Sequence, residues 1–136
     1  VIAVQPVPAE DTDKYGIVEA KAIDDRVSKI VSIVEKPKPD VAPSQLGVVG
    51  RYVLPGEIMR ILETTERGAG DEIQLTDAIA TLIERQQVLA YEFEGVRYDC
   101  GSKLGYLQAT VDYALKHREV AGDFAGWLAT RVEQLP

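Results

Sequence analysis

The chain reads as an α/β protein with a mixed sheet flanked by helices. Short runs rich in Val, Ile and Leu at residues 1–4, 16–23, 29–35 and 46–54 have strand length and are bounded by Gly, Pro and Asp. Longer stretches at 76–85, 102–117 and 124–135 repeat their apolar residues at helical spacing, with one more strand run, 88–94, between the first two of them. Strands interleaved with helices and no internal repeat predict a mixed α/β layer.

The elements follow in order. Residues 1–4 form a strand that Pro6 and Pro8 stop, and 16–23 alternate well enough for a second. Asp24 and Asp25 supply a turn, so that 29–35 return as the hairpin partner and lead into a proline-rich connection at 37–43. Residues 46–54 are apolar on both faces, which suits a central strand, and Gly47 and Gly50 within it signal close approach by a ligand or another backbone. Pro55 opens a short helix carrying Ile58, Met59 and Leu62, which Gly68 and Gly70 follow. The helix at 76–85 buries Ile79, Leu82 and Ile83, with Thr76 as its cap and Asp77 complementing its dipole. Leu89, Tyr91 and Phe93 share one face of the strand 88–94, and 96–99 extend it past Gly95. Leu104, Leu107, Val111, Ala114 and Leu115 line the helix at 102–117, and the Trp127 stripe of the last helix is assigned to the core.

Composition narrows the function. A length of 136 residues suits a single domain over 1–136, and 46% hydrophobic with 27% charged residues is the balance of a globular protein in water. No apolar run approaches the ~20 residues that cross a bilayer, so no membrane partner is expected. No signal-peptide pattern opens the chain, which makes the cytoplasm the expected location. A net charge of −7 argues against nucleic acid as a partner, since that binding draws on lysine and arginine. Cys100 has no second cysteine to pair with and reads as structural. His117, on a helix surface, is not placed to activate it.

The run Ser32-Ile33-Val34-Glu35-Lys36-Pro37-Lys38-Pro39 carries the strongest chemical signal. Proline favours extended geometry in the residue before it, so Glu35 and Lys36 stand at a strand's exit, where α/β sheets place ligand chemistry. A carboxylate there accepts hydrogen bonds from sugar hydroxyls, and the lysine reaches a phosphate as a point charge. Other segments extend the pattern: Lys14-Tyr15-Gly16 before a strand, Val49-Gly50-Arg51-Tyr52 within one, GAGDEIQLTD at 68–77 opening a helix, and Tyr98-Asp99-Cys100-Gly101 closing a strand.

In order and spacing these segments resemble the carboxy-terminal half of the bacterial UTP-glucose-1-phosphate uridylyltransferases, within the sugar-nucleotide pyrophosphorylase family. The resemblance implies the carboxy-terminal part of a Rossmann-like nucleotidyltransferase fold. It also implies that the amino-terminal nucleotide-binding half is absent here: neither that half's glycine-rich loop nor any other phosphate-cradle motif occurs in the chain. On that basis the isolated chain is expected to be inactive.

The implied reaction joins UTP and α-D-glucose 1-phosphate into UDP-glucose and diphosphate with Mg²⁺. By resemblance, Glu35 accepts hydrogen bonds from glucose hydroxyls. Lys36, the residue given the catalytic role, holds the sugar phosphate as a binder and not as a base. Gly16 matches a glycine that lies against the sugar, although a glycine serving only the turn into its strand is equally compatible. Val48 is a candidate wall for the sugar ring, with a plain core valine the simpler reading. Asp99 resembles the second aspartate that positions Mg²⁺, one carboxylate from each half being sufficient when phosphates and waters complete the octahedron. Its alternative is a cap for the helix near Ser102.

The pair Asp71-Glu72 reads as part of a structural loop or subunit contact, because nucleotidyl transfer needs positioning and charge neutralisation more than an acid–base pair. A thymidylyltransferase or other sugar-1-phosphate nucleotidyltransferase remains an alternative, as does a non-catalytic sugar-phosphate-binding or assembly module. A homo-oligomer, dimer or tetramer, is expected, both from the family and because residues 1–4 and 46–54 are expected to leave a sheet edge or face open.

Overall fold

β-Branched and small residues at alternating positions form the first strand, β1 (Ile2–Pro6), which buries Ile2 and Val4. The computed structural model describes residues 1–135, and these fall into two compact units, Val1–Glu94 and a second from Gly95 onward. In the first unit, β2 (Gly16–Ala22) and β3 (Val27–Glu35) make the expected hairpin, running in register from Gly16 opposite Glu35 to Ala22 opposite Ser28, with one irregularity between Glu19 and Ala20. Asp24 closes its turn by accepting the Arg26 and Val27 backbone N–H groups at 2.9 and 2.7 Å.

The fourth strand, β4 (Leu46–Tyr52), pairs antiparallel with β1 and touches β2 where Ile17 meets Gly47. A short β5 (Leu89–Glu92) lies antiparallel to β3 and parallel to β1, which makes the sheet mixed and closes it in the order β1-β4-β2-β3-β5. Closure corrects the expectation of an open edge: β1 has β4 on one side and β5 on the other, so its ladder groups have neighbours.

Helices α1 (Glu57–Leu62) and α2 (Leu75–Arg85) pack on this sheet, Ile58, Ile61, Ala78, Ile79 and Leu82 joining Ile2, Val4, Val18, Ile30, Val48 and Ala90 in one core. A 3₁₀ turn, Ala9–Lys14, that the sequence pattern did not reveal precedes β2. There Thr12, 1% exposed, sets its hydroxyl 3.1 Å from the Ala9 carbonyl and 3.3 Å from that of Pro37. Gly47 is needed nearby, since a Cβ on it would stand 2.8 Å from a Val7 methyl. The approach expected there was by a ligand or backbone, and it is the Val7 side chain that makes it; Gly50 takes a φ of 75° with nothing within 4 Å.

Leu89 and Tyr91 share one face of β5, as alternation predicts, and Ala90 lies on the other. Val88 and Ala90 are buried and Tyr91 is exposed, because register with β1 and β3 turns the small residues inward.

In the second unit, residues 96–99 form no strand: Gly95 at φ 119° breaks the extended run after β5. Helix α3 (Lys103–Ala114) is capped by Ser102, whose Oγ accepts the Gly105 N–H at 3.0 Å, and α4 (Ala121–Glu133) follows. Trp127 is 58% exposed and tilts against Phe124 at 5.6 Å between ring centroids, which corrects its assignment to a core; two helices enclose too little space to bury an indole. His117 lies beyond α3 in a turn, and Cys100 is exposed. Among the described residues no helix is long and apolar enough to cross a membrane.

Candidate functional site

The hairpin register sets the site. Gly16 opens β2 directly opposite Glu35, which closes β3, so both lie at one end of the sheet on the same face. A Cβ on Gly16 would stand 3.2 Å from Glu35 Oε2, 3.6 Å from Thr76 Oγ1 and 3.9 Å from Val48 Cβ. The missing side chain thus leaves a gap over a carboxylate, with a hydroxyl and an apolar wall at its sides. Gly16, Glu35 and Val48, separate in sequence, meet here. Val48 is only 8% exposed and belongs to the core as well.

Glu35 is held from a direction that periodicity did not show. Thr76 donates its hydroxyl to Oε2 at 2.6 Å. The expectation that Thr76 caps α2 is therefore corrected: Gln74, with extended backbone, takes the N-cap position and Leu75 begins the helix. The displaced boundary is what frees the threonine hydroxyl to point at a partner 41 residues away. Tyr52, at the end of β4, is also near: burial first, and then the negative charge of Glu35, push its phenol pKa up, so it remains a neutral hydrogen-bonding group.

Lys36 continues the ladder by one bond, its N–H donating to the Tyr15 carbonyl at 3.0 Å, and then turns the chain with φ 45°. The extended geometry expected before Pro37 is not adopted. The turn delivers Pro37 into a buried position beside Thr12. The lysine side chain is 62% exposed, its Nζ 4.0 Å from Glu35 Oε1, whereas the Glu35 side chain is only 19% exposed. The outcome is a held carboxylate beside a cation that is still open to solvent.

Asp99 lies in the second unit, exposed, and does not cap α3, since Ser102 does. Its Oδ1 accepts the Gly101 N–H at 3.1 Å and its carbonyl accepts the Ser102 N–H at 3.1 Å, fixing a tight turn. A Cβ on Gly105 would fall 2.2 Å from that carbonyl, so the glycine lets the helix sit against the Asp99 turn. Among the described residues no three acidic, His or Cys side chains gather as a metal cage. Asp99 offers a hard oxygen donor, which fits Mg²⁺ only as one ligand among phosphates and waters. The 68–72 loop is closed on itself, with Arg67 bonded to the Asp71 carbonyl and Gly68 N–H to that of Glu72 at 2.9 Å.

Comparison with known proteins gives a consistent set of matches. A family model for nucleotidyl transferases matches residues 1–116. The chain is 49% identical to the UTP–glucose-1-phosphate uridylyltransferase of Staphylococcus epidermidis RP62A, over 94% of its own length and 44% of that protein. It is 49% identical to the enzyme of that name from Escherichia coli K12, over 93% and 42% respectively. Among solved structures, a UDP-glucose pyrophosphorylase complexed with UDP-glucose superposes with a TM-score of 0.81 at 42% identity, covering 85% of this chain and 44% of that one. A UTP-bound enzyme from Acinetobacter baumannii gives 0.81 at 45% identity, covering 94% and 44%. The chain thus spans a little under half the length of these relatives.

Proposed function

We propose, from the premise that this chain belongs to the nucleotidyl transferase family, that it forms the sugar-phosphate side of a UTP–glucose-1-phosphate uridylyltransferase. The observation that carries this reading is the meeting of Gly16, Glu35 and Val48 at one sheet end, with Lys36 beside them. An anionic acceptor under a gap suits sugar hydroxyls, and an exposed ammonium suits their phosphate.

In the proposed reaction a phosphate oxygen of α-D-glucose 1-phosphate bonds to the α-phosphorus of UTP. The bond from that phosphorus to the bridging oxygen of the β-phosphate breaks, releasing pyrophosphate and leaving UDP-glucose. No covalent intermediate with the protein is needed. Glu35 orients the hexose, Gly16 gives the sugar room, and Val48 meets its apolar side. Lys36 neutralises charge on the phosphate, which lowers the repulsion between two anionic reactants and fixes the attacking oxygen. Asp99 is the residue that would hold Mg²⁺, which when bound screens phosphate charge. UTP recognition falls to sequence outside these residues. Under this reading the protein works in the cytoplasm as a homo-oligomer, and this chain alone binds sugar phosphate without turnover.

Lys36→Ala in the full-length protein tests the reading. Loss of a charge-assisted contact worth about 1.5–3 kcal/mol predicts a glucose 1-phosphate KM raised roughly ten- to a hundredfold and a slower turnover. Steady-state kinetics equal to wild type would remove Lys36 from the site.

A further inference from the structure

We propose that Thr76 is a positioning residue for Glu35, its hydroxyl holding Oε2 so that the carboxylate is presented to the hexose at the gap beside Gly16. The inference rests on the preceding reading of Glu35 as the sugar-hydroxyl acceptor. Its first support is the bond itself, 2.6 Å from Thr76 Oγ1 to Glu35 Oε2, bridging α2 and the end of β3.

The second is a contrast within the chain. Thr81, Thr110 and Thr130, all within helices, turn their hydroxyls back onto the carbonyl four residues earlier, at 3.3, 2.8 and 3.1 Å. That is the usual resting place of a helical threonine. Thr76 is the second residue of α2, so the carbonyl four places back, on Glu72, lies outside the helix, and the hydroxyl is spent on Glu35 instead.

The third is the space above the pair. The Cβ that Gly16 lacks would stand 3.2 Å from Oε2 and 3.6 Å from Thr76 Oγ1, so that both atoms border the gap left for a ligand. An ionised carboxylate accepts and never donates, and here one oxygen already has its donor. The ligand edge that completes it is a hydroxyl pair on a pyranose ring. A bare phosphate, which brings acceptor oxygens, gains nothing from Glu35 and would engage Lys36 alone.

The test compares Thr76→Ala, Thr76→Ser, Glu35→Ala and the double variant Thr76→Ala/Glu35→Ala in the full-length protein. KM values for glucose 1-phosphate and UTP are measured, with inorganic phosphate as competitor. Removing the hydroxyl should raise the glucose 1-phosphate KM about tenfold, the usual weight of one hydrogen bond to a charged group, with the UTP KM and phosphate inhibition within about twofold of wild type. Thr76→Ser, which keeps the hydroxyl, should restore wild-type values. Once Glu35 is alanine, the loss of Thr76 should add less than about twofold. Thr76→Val, nearly isosteric, replaces the alanine variant should that one fail to fold.

The positioning role is overturned if Thr76→Ser falls with Thr76→Ala, or if Thr76→Ala costs as much in the Glu35→Ala background as in wild type. A Glu35→Ala protein with reduced sugar-phosphate affinity beside a normal Thr76→Ala protein defeats this inference and leaves the site reading intact. Unaltered affinity in Glu35→Ala defeats the site reading itself.

Discussion

Lys36 combines the site's positive charge with left-handed backbone, φ 45°, at a non-glycine position. Such a residue costs on the order of 1 kcal/mol, and it persists here because the Tyr15 bond on one side and buried Pro37 on the other fix the chain's path. A trade-off follows. Lys36→Gly should raise unfolding stability by about 0.5–1 kcal/mol in denaturant titration while abolishing the proposed phosphate contact, whereas Lys36→Ala should show no such gain. A glycine variant no more stable than the alanine variant would mean that the turn holds no strain. The end of β3 at Glu35 was legible in sequence because its signal is local, a strand followed by charge and proline, whereas the left-handed turn at Lys36 was not. The Thr76 contact was not, since the hydrogen bond spans 41 residues and only the docking of α2 on β3 creates it.

At the scale of elements, the β2–β3 hairpin aims the site, and its turn depends on Asp24. Two backbone N–H bonds hold the Asp24 carboxyl below its ordinary value of 3.8, with burial opposing weakly. A depressed carboxyl stabilises the fold above its unfolded pKa and loses that contribution as pH falls through the folded value. Chemical denaturation of wild type and Asp24→Ala should therefore differ at neutral pH and converge as pH drops below 3.8. A difference independent of pH would assign the effect to something other than this carboxylate. The same hairpin was readable because a period of two and an Asp turn agree. The false strand at 96–99 arose because apolar character says nothing of a ladder partner, and which face of β5 is buried is decided by register, which alternation alone does not give. Placing Trp127 in a core failed similarly: helical spacing marks an apolar stripe without showing what covers it.

The whole first unit places its chemistry at one end of a closed ring of strands. Because β2 and β3 run antiparallel, the first residue of one and the last of the other share that end, and β4 and α2 bring Val48 and Thr76 to it. With a net charge of −7, the chain as a whole does not attract an anion, so the proposed phosphate recognition must be local, at Lys36. The central claim is that this sheet end binds a hexose phosphate through these residues. Amide chemical-shift mapping of the chain titrated with glucose 1-phosphate tests it most directly. The account predicts saturable shifts concentrated at Gly16, Glu35, Lys36, Val48 and Thr76, most of them lost in Glu35→Ala. No saturable shifts, or shifts confined to other parts of the chain, would contradict it.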